Sequence, residues 1–125
     1  MARSVGVLAA VLVLAACAVQ SPPSADERPS AASAASELSL RADDGRAIAE
    51  AQCAACHSVG EYGDSPNAAA PPLRYALANH RSDVLAEELI NGIQVTHQMP
   101  DFQLNPQGVD ALIVYLQSIQ QPPPA

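Results

Sequence analysis

The segment Cys53-Ala54-Ala55-Cys56-His57 dominates the interpretation of this 125-residue chain. It contains two thiols separated by two residues, with an imidazole directly after the second thiol, which is the CxxCH pattern of covalent haem attachment. One helical turn brings Cys53 and Cys56 to the same side, so that both can add across the vinyl groups of the porphyrin. The pattern therefore predicts one covalent haem c, with His57 as an axial ligand of the iron.

Two other functions of paired cysteines fit this sequence less well. A thioredoxin-like CxxC follows a strand within a βαβ unit, and no such surroundings are predicted for Cys53. A zinc site needs a second ligand pair, for which the sequence offers His80, His97 and Cys17. Haem attachment is the preferred interpretation, with a redox dithiol and a zinc site as its alternatives.

The sequence around this motif predicts an all-α domain with three main helices packed around the haem. The first helix is expected over about residues 44–53, with Asp43 or Asp44 as its N-cap, and it leads directly into Cys53. The connection over residues 58–80 is rich in Gly, Pro, Asn and Ala and is long for a compact domain. It is therefore expected to wrap the ligand.

The other two helices have clear start and stop signals. The second is expected to begin at Ser82, whose hydroxyl can accept a hydrogen bond from the first turn, and to end near Gly92. The third is expected to have Asn105 as its N-cap and Pro106 at its first position, and to end before Pro122.

The apolar core predicted for these helices is thin. The chain has one Phe, three Tyr and no Trp. Small domains of this kind usually need an additional stabilising element, such as a disulfide, a metal or a cofactor. We therefore expect the haem to supply apolar surface that the side chains lack.

The first residues are typical of an export signal. A short basic start is followed by a run of small and apolar residues over 5–16, which is too short to span a bilayer. The end of this run, Leu14-Ala15-Ala16-Cys17, resembles the bacterial lipobox, which implies a signal peptide over residues 1–16 and lipidation of Cys17. The alternative is an ordinary soluble signal cleaved near Ala16. Lipid on Cys17 and haem on the other two cysteines would leave no spare thiol.

Composition divides the rest of the chain into three parts. Residues 17–40, from the lipidated cysteine onwards, are rich in Ser, Ala and Pro and predict a disordered tether. Residues 41–121 are expected to form the haem domain, and residues 122–125 a short tail. The predicted location is the periplasmic side of a bacterial membrane, inner or outer, where the lipid holds the domain.

The charge of the chain restricts its partners. Without residues 1–16 the chain has five arginines against thirteen acidic residues, hence a net charge of −8, and no lysine. Such a charge repels nucleic acid and favours a partner that presents a basic patch. We expect that partner to be a redox protein.

From Gly45 to about Leu116 the chain resembles the class I, or monohaem, c-type cytochromes, here in a bacterial lipoprotein form. The resemblance implies a small cytochrome c fold in which the first and last helices cross at a glycine, here Gly45. It places Leu112 and Tyr115 on the facing helix, where they would otherwise be interpreted as generic core residues. A common family aromatic at position 49 is here Ala49, which implies a narrower contact.

The segment Ala70-Pro71-Pro72-Leu73 is similar to the Pro-x-Leu segment of this family. The resemblance implies that the Pro71 carbonyl accepts a hydrogen bond from the second ring nitrogen of His57, which would fix the imidazole's orientation. Arg74 and Tyr75 follow and are candidates for contacts with the haem propionates, because a buried carboxylate needs donors. The alternatives are an ordinary loop proline and two surface side chains.

The segment Met99-Pro100-Asp101-Phe102 resembles the Met-Pro segment that provides the sixth iron ligand in this family. Methionine more often fills gaps in a core, but Met99 is the only thioether left once Met1 is removed with the signal. His97 is the alternative sixth ligand and would lower the reduction potential. His80 is a weaker candidate, because we expect it to be exposed to solvent.

The resemblance implies electron transfer by a membrane-tethered monohaem carrier with His/Met-ligated iron, rather than an enzyme. No small-molecule substrate is expected. One alternative is the haem-bearing subunit of a periplasmic dehydrogenase or oxidase complex. Another is a haem-based sensor, in which Met99 would detach to admit a diatomic ligand.

Overall fold

The computed structural model describes residues 30–93, 99–100 and 104–124. Within these ranges the chain forms helices and contains no strand, so the predicted all-α class is confirmed. The elements are α1 (Ala31–Gln52), a 3₁₀ turn (Leu73–Tyr75), α2 (Ala76–Asn79), α3 (Ser82–Asn91) and α4 (Pro106–Ile119). The three predicted helices correspond to α1, α3 and α4, while the 3₁₀ turn and α2 lie in the predicted connection.

Helix α1 is much longer than predicted. It begins at Ala31, where the Ser30 hydroxyl accepts a hydrogen bond from the Ser33 N–H at 3.2 Å, so neither predicted aspartate is the N-cap. The prediction of a disordered tether over residues 17–40 is therefore wrong for residues 31–40. These residues are exposed and offer few large apolar side chains to a core. They are nevertheless rich in alanine, the best helix former, and extend a helix that is docked further along.

The close crossing of α1 and α4 occurs at Gly45, as predicted. A Cβ atom at this position would overlap the backbone carbonyl of Ala111 and lie 2.8 Å from the Tyr115 Cβ. Tyr115 is thus confirmed as a facing residue, but the closest backbone is that of Ala111. Ala49, one turn further along α1, is completely buried, in agreement with the narrower contact expected there.

The ends of α3 and α4 agree with their sequence signals in all but one detail. Gly92 ends α3 with a φ of 97°, and the Asn105 side chain accepts a hydrogen bond from the first turn of α4 at 2.7 Å. Helix α3 begins at Ser82, but the N-cap position belongs to Arg81. The Arg81 guanidinium has no acceptor for the backbone N–H groups of the first turn, and it pairs with Asp83 at 2.6 Å.

The buried core joins α1, α3 and α4 in one cluster of mostly aliphatic side chains. Its members are Ala49, Leu85, Leu89, Val109, Leu112, Tyr115, Leu116 and Ile119. The Tyr115 hydroxyl donates a hydrogen bond to the Val59 carbonyl at 2.8 Å, which ties α4 to the segment that follows the CxxCH motif. The thin core predicted from the composition is thus reinforced by a polar contact at its edge.

Several predictions for the start of the chain fall on residues that the structure does not describe. The signal peptide over residues 1–16 and the lipidation of Cys17 both lie outside the described residues. Among the helices that are described, none combines the length and the apolar character needed to cross a bilayer.

The crossing predicts that Gly45→Ala lowers the free energy of unfolding by about 1–3 kcal/mol, because the added methyl forces α1 and α4 apart. Gly60→Ala is the matched control: a Cβ there meets no atom within 4 Å, and its effect should stay within about 0.5 kcal/mol. Denaturant unfolding of the two variants tests this. Equal midpoints would show that the crossing tolerates a side chain.

The hydrogen bond from Tyr115 predicts that Tyr115→Phe costs about 1 kcal/mol of stability, because the Val59 carbonyl loses its donor. Tyr62→Phe is the control, since Tyr62 is 82% exposed. Burial raises the pKa of the Tyr115 phenol. The positive charge of Arg46 partly opposes this, while the negative charges of Glu50 and Glu61 add to it.

The native state therefore keeps the Tyr115 proton at a pH where the unfolded chain has lost it, and stability should fall as the pH rises above about 10. Tyr115→Phe should weaken this fall, measured by denaturant unfolding across that range. An unchanged pH profile in Tyr115→Phe would contradict the assignment of this dependence to Tyr115.

Candidate haem site

The CxxCH segment continues the end of α1 as a tight turn. The Cys53 N–H still donates to the Ala49 carbonyl at 2.9 Å, as in a helix. The N–H groups of Cys56 and His57 then both donate to the Cys53 carbonyl, at 3.1 and 2.9 Å. The predicted helical turn is present because α1 extends directly into the motif, whereas a thioredoxin-like CxxC would follow a strand.

Both thiols of the motif are free and partly buried. Burial raises the pKa of the Cys53 thiol, because an apolar environment disfavours the thiolate. The neutral thiol provides both the sulfur and the hydrogen that add across a vinyl group.

The His57 ring is buried, with 7% exposure, and it contacts the segment predicted from the sequence. Its Nδ1 lies 2.7 Å from the Pro71 carbonyl oxygen. A carbonyl can only accept, so Nδ1 carries the proton and Nε2 is the nitrogen with a lone pair to offer a metal. The Pro71 contact thus selects the tautomer that an axial ligand requires.

A cavity of about 100 Å³, open to solvent on one side, lies beside His57. Helix α3 contributes Leu85 and Leu89 to its wall, and α4 contributes Leu112 and Leu116. Leu112, expected at the helix crossing, therefore faces the cavity. The wall is apolar, as a porphyrin requires, and it lies next to the attachment turn.

The predicted ligand Met99 lines the same cavity as Cys53 and His57. Met99 is partly buried, although it is distant from the motif in sequence. The alternative ligand His97 lies outside the described residues. His80, expected to be exposed, is exposed as predicted, yet it also lines the cavity.

Arg74 and Tyr75, the predicted propionate contacts, have other partners. The Arg74 guanidinium is buried and donates to the Gly63 carbonyl at 2.7 Å and to the Ser58 hydroxyl at 3.3 Å. It also lies over the Tyr75 ring, 4.6 Å from the centroid. Neither residue is among the described residues that line the cavity. Arg74 therefore anchors the loop after His57, and the propionate contact gains no support from its position.

Ser58 is a positioning residue that the sequence analysis missed. Its carbonyl accepts from the Leu73 N–H at 2.9 Å, and its hydroxyl donates to the Tyr62 carbonyl at 3.1 Å. Ser58 follows His57 directly, so its bond to Leu73 ties the end of the CxxCH motif to the segment that contains Pro71. No local pattern indicates this role, because both partners are brought to Ser58 by the fold of the connection.

Gln120, directly after α4, is a second missed residue. Its side-chain carbonyl accepts from the Leu77 N–H at 2.9 Å, and its amide donates to the Leu73 carbonyl at 3.0 Å. These two bonds attach the 3₁₀ turn and α2 to the end of α4. Leu73, which lines the cavity, is thereby held in place.

The residues present fit a covalently attached haem. Two free thiols and an imidazole of the right tautomer stand at an apolar cavity, with a thioether in its wall. Within residues 30–93, 99–100 and 104–124, no group of three or more His, Cys, Asp or Glu side chains could hold a metal ion. The zinc alternative thus finds no ligand set among those residues.

Comparison with known proteins agrees with this geometry. The family model described as Cytochrome c matches residues 42–120, which is more than half of the chain and includes the CxxCH motif, Pro71 and Met99. No curated protein and no solved structure matches the chain significantly. From the attachment turn, the apolar cavity and this match, it follows that the chain belongs to the cytochrome c family and is a c-type cytochrome of all-α fold, whose chemistry is haem-based electron transfer.

Proposed function

We propose that this protein is a membrane-tethered monohaem electron carrier whose iron is ligated by His57 and Met99. The shared cavity is the observation that carries the proposal. The His57 imidazole and the Met99 thioether both line this cavity. Among its described lining residues, Met99 is the only one outside the CxxCH motif that contains sulfur. When bound, haem c supplies a one-electron Fe(II)/Fe(III) couple.

The chain's own residues hold the cofactor in both redox states. Cys53 and Cys56 fix its edge through thioether bonds, and Pro71 keeps the His57 ring in one orientation. Because His57 and Met99 would both stay bound to the iron, electron transfer would need little rearrangement and no substrate would have to reach the metal. These features favour a carrier over an enzyme.

The surroundings of the cavity favour a high reduction potential. The Met99 thioether is a soft ligand that stabilises the reduced iron. The apolar walls from α3 and α4 disfavour the additional positive charge of the oxidised form. His97 as the sixth ligand would act in the opposite direction.

The lipidated Cys17 and the acidic charge define the proposed setting. A lipid anchor on the periplasmic side of a membrane would confine the carrier to the surface on which its partners lie, which raises their effective concentration. The chain from Cys17 onwards has five arginines against thirteen acids, hence −8, so a redox partner with a basic patch would be attracted at long range. The support for this setting is the lipobox resemblance and the composition.

Ligation by Met99 predicts a near-infrared charge-transfer band from the methionine sulfur to the ferric iron. Met99→Leu should lose this band, and His97→Gln should keep it. Near-infrared absorption of the oxidised protein is the measurement. Absence of the band in the native protein, or its loss in His97→Gln, would contradict Met99 as the sixth ligand.

Covalent attachment predicts that Cys53→Ala combined with Cys56→Ala, expressed with the haem-attachment machinery, leaves a chain without covalent haem and largely without fixed structure. The physical reason is the thin core, which lacks the apolar surface of the haem. Haem staining of a denaturing gel and circular dichroism on heating measure the two effects.

Ala55→Ser is the matched control, since Ala55 is exposed between the thiols and the change leaves both intact. It should retain covalent haem and a cooperative melt. Native-like helix content with cooperative melting in the double variant would show that the fold does not depend on the haem.

A further inference from the structure

His80 occupies an unusual position at the haem cavity. It follows α2 with an extended backbone and precedes α3, and no motif of the sequence points to it. The residue is exposed to solvent, yet its side chain lines the cavity. Only a residue at the mouth of the cavity can satisfy both conditions, so His80 lies where the interior of the cavity meets water.

Among the described residues that line the cavity, three have ionisable side chains: Cys53, His57 and His80. The first two are used for attachment and for the iron. His80 makes no hydrogen bond or ion pair within the part of the chain that the structure describes. The His80 imidazole is therefore a hydrogen-bond donor with no described protein partner, on a wall that is mostly apolar.

Arg81 and Arg74, the arginines closest to His80 in the sequence, have other partners. Its neighbour Arg81 pairs with Asp83 at 2.6 Å on the exposed side of α3. The Arg74 guanidinium is bonded to the Gly63 carbonyl and the Ser58 hydroxyl, and it lies outside the cavity lining. Helix α2 (Ala76–Asn79) carries no charged side chain. No described acid lines the cavity that could pair with an imidazolium.

The haem itself carries such acids. Its two propionates are anionic and need either water or a donor, and charge-assisted hydrogen bonds are the strongest ones available to them. We propose that His80 is a haem-binding residue, whose imidazole N–H at the mouth of the cavity donates a hydrogen bond to a haem propionate. This assignment rests on the proposed function, because it presupposes a covalently bound haem.

The assignment has an electrochemical consequence. Histidine is the side chain that changes its charge between pH 5 and 8. A positive charge beside the haem disfavours the oxidised iron, which carries the larger positive charge. The midpoint potential should therefore be higher when the imidazole is protonated, and it should fall as the pH rises and the proton is lost.

The experiment uses the full-length chain with its haem attached. The midpoint potential is measured by spectroelectrochemistry between pH 5 and 8 for the native protein, His80→Gln, His80→Lys and Arg81→Gln. We expect the native potential to fall with pH and most of this fall to be lost in His80→Gln. His80→Lys should keep the potential near its low-pH value throughout, since lysine is a donor with a fixed charge in this range.

Arg81→Gln is the matched control, because it removes an exposed positive charge one residue away from the cavity wall. It should keep the pH-dependent fall. Proton NMR of the propionate methylene groups provides a second measurement, in which His80→Gln should shift the resonances of one propionate and Arg81→Gln should shift neither.

Three outcomes would overturn the assignment. An unchanged pH dependence in His80→Gln would show that His80 does not act on the haem. An altered near-infrared ligand band in His80→Gln would place His80 on the iron instead of a propionate. A native chain without covalent haem would overturn the proposed function, and this assignment with it, whereas the first two outcomes leave that function intact.

Discussion

The contact between α1 and α4 at Gly45 is the constraint on which the rest of the structure depends. At Gly45 the backbone of α1 lies so close to the Ala111 carbonyl that any Cβ atom would overlap it. Helix α1 then ends in the attachment turn, while α4 carries Leu112 and Leu116 toward the cavity. The crossing thus sets the distance between the cysteines and the apolar wall that faces them.

A second group of contacts holds the long connection against these two helices. It begins at His57, whose ring binds the Pro71 carbonyl, and ends at Gln120, which binds Leu73 and Leu77. Between these two, the Ser58 carbonyl accepts from the Leu73 N–H and so joins the start of the connection to the 3₁₀ turn. The segment is thus positioned by directional hydrogen bonds together with the packing of Val59, Leu73 and Leu77 against the core.

The architecture separates a polar frame from an apolar cavity. Arg74 is buried outside the cavity and holds the loop after His57. The wall of the cavity is formed largely by leucines of α3 and α4. This division leaves no arginine and no acidic side chain among the described residues that line the cavity. The low dielectric of the wall increases the effect of each group that remains there.

The attachment motif and most helix ends can be predicted from local sequence, because they depend on residues only a few positions apart. The CxxCH turn, the Gly92 terminus and the Asn105 cap are of this kind. The start of α1 does not follow from the same signals, because residues 31–40 have few large apolar side chains to bury, although their alanines favour a helix.

Only the tertiary structure decided which distant groups meet. The hydrogen bond from Tyr115 to Val59 spans 56 residues, and the one from Leu77 to Gln120 spans 43. The inward role of Arg74 and the place of His80 at the mouth of the cavity likewise follow from how the helices pack. Such contacts leave no local periodicity in the sequence, since their geometry exists only once α1 and α4 have crossed.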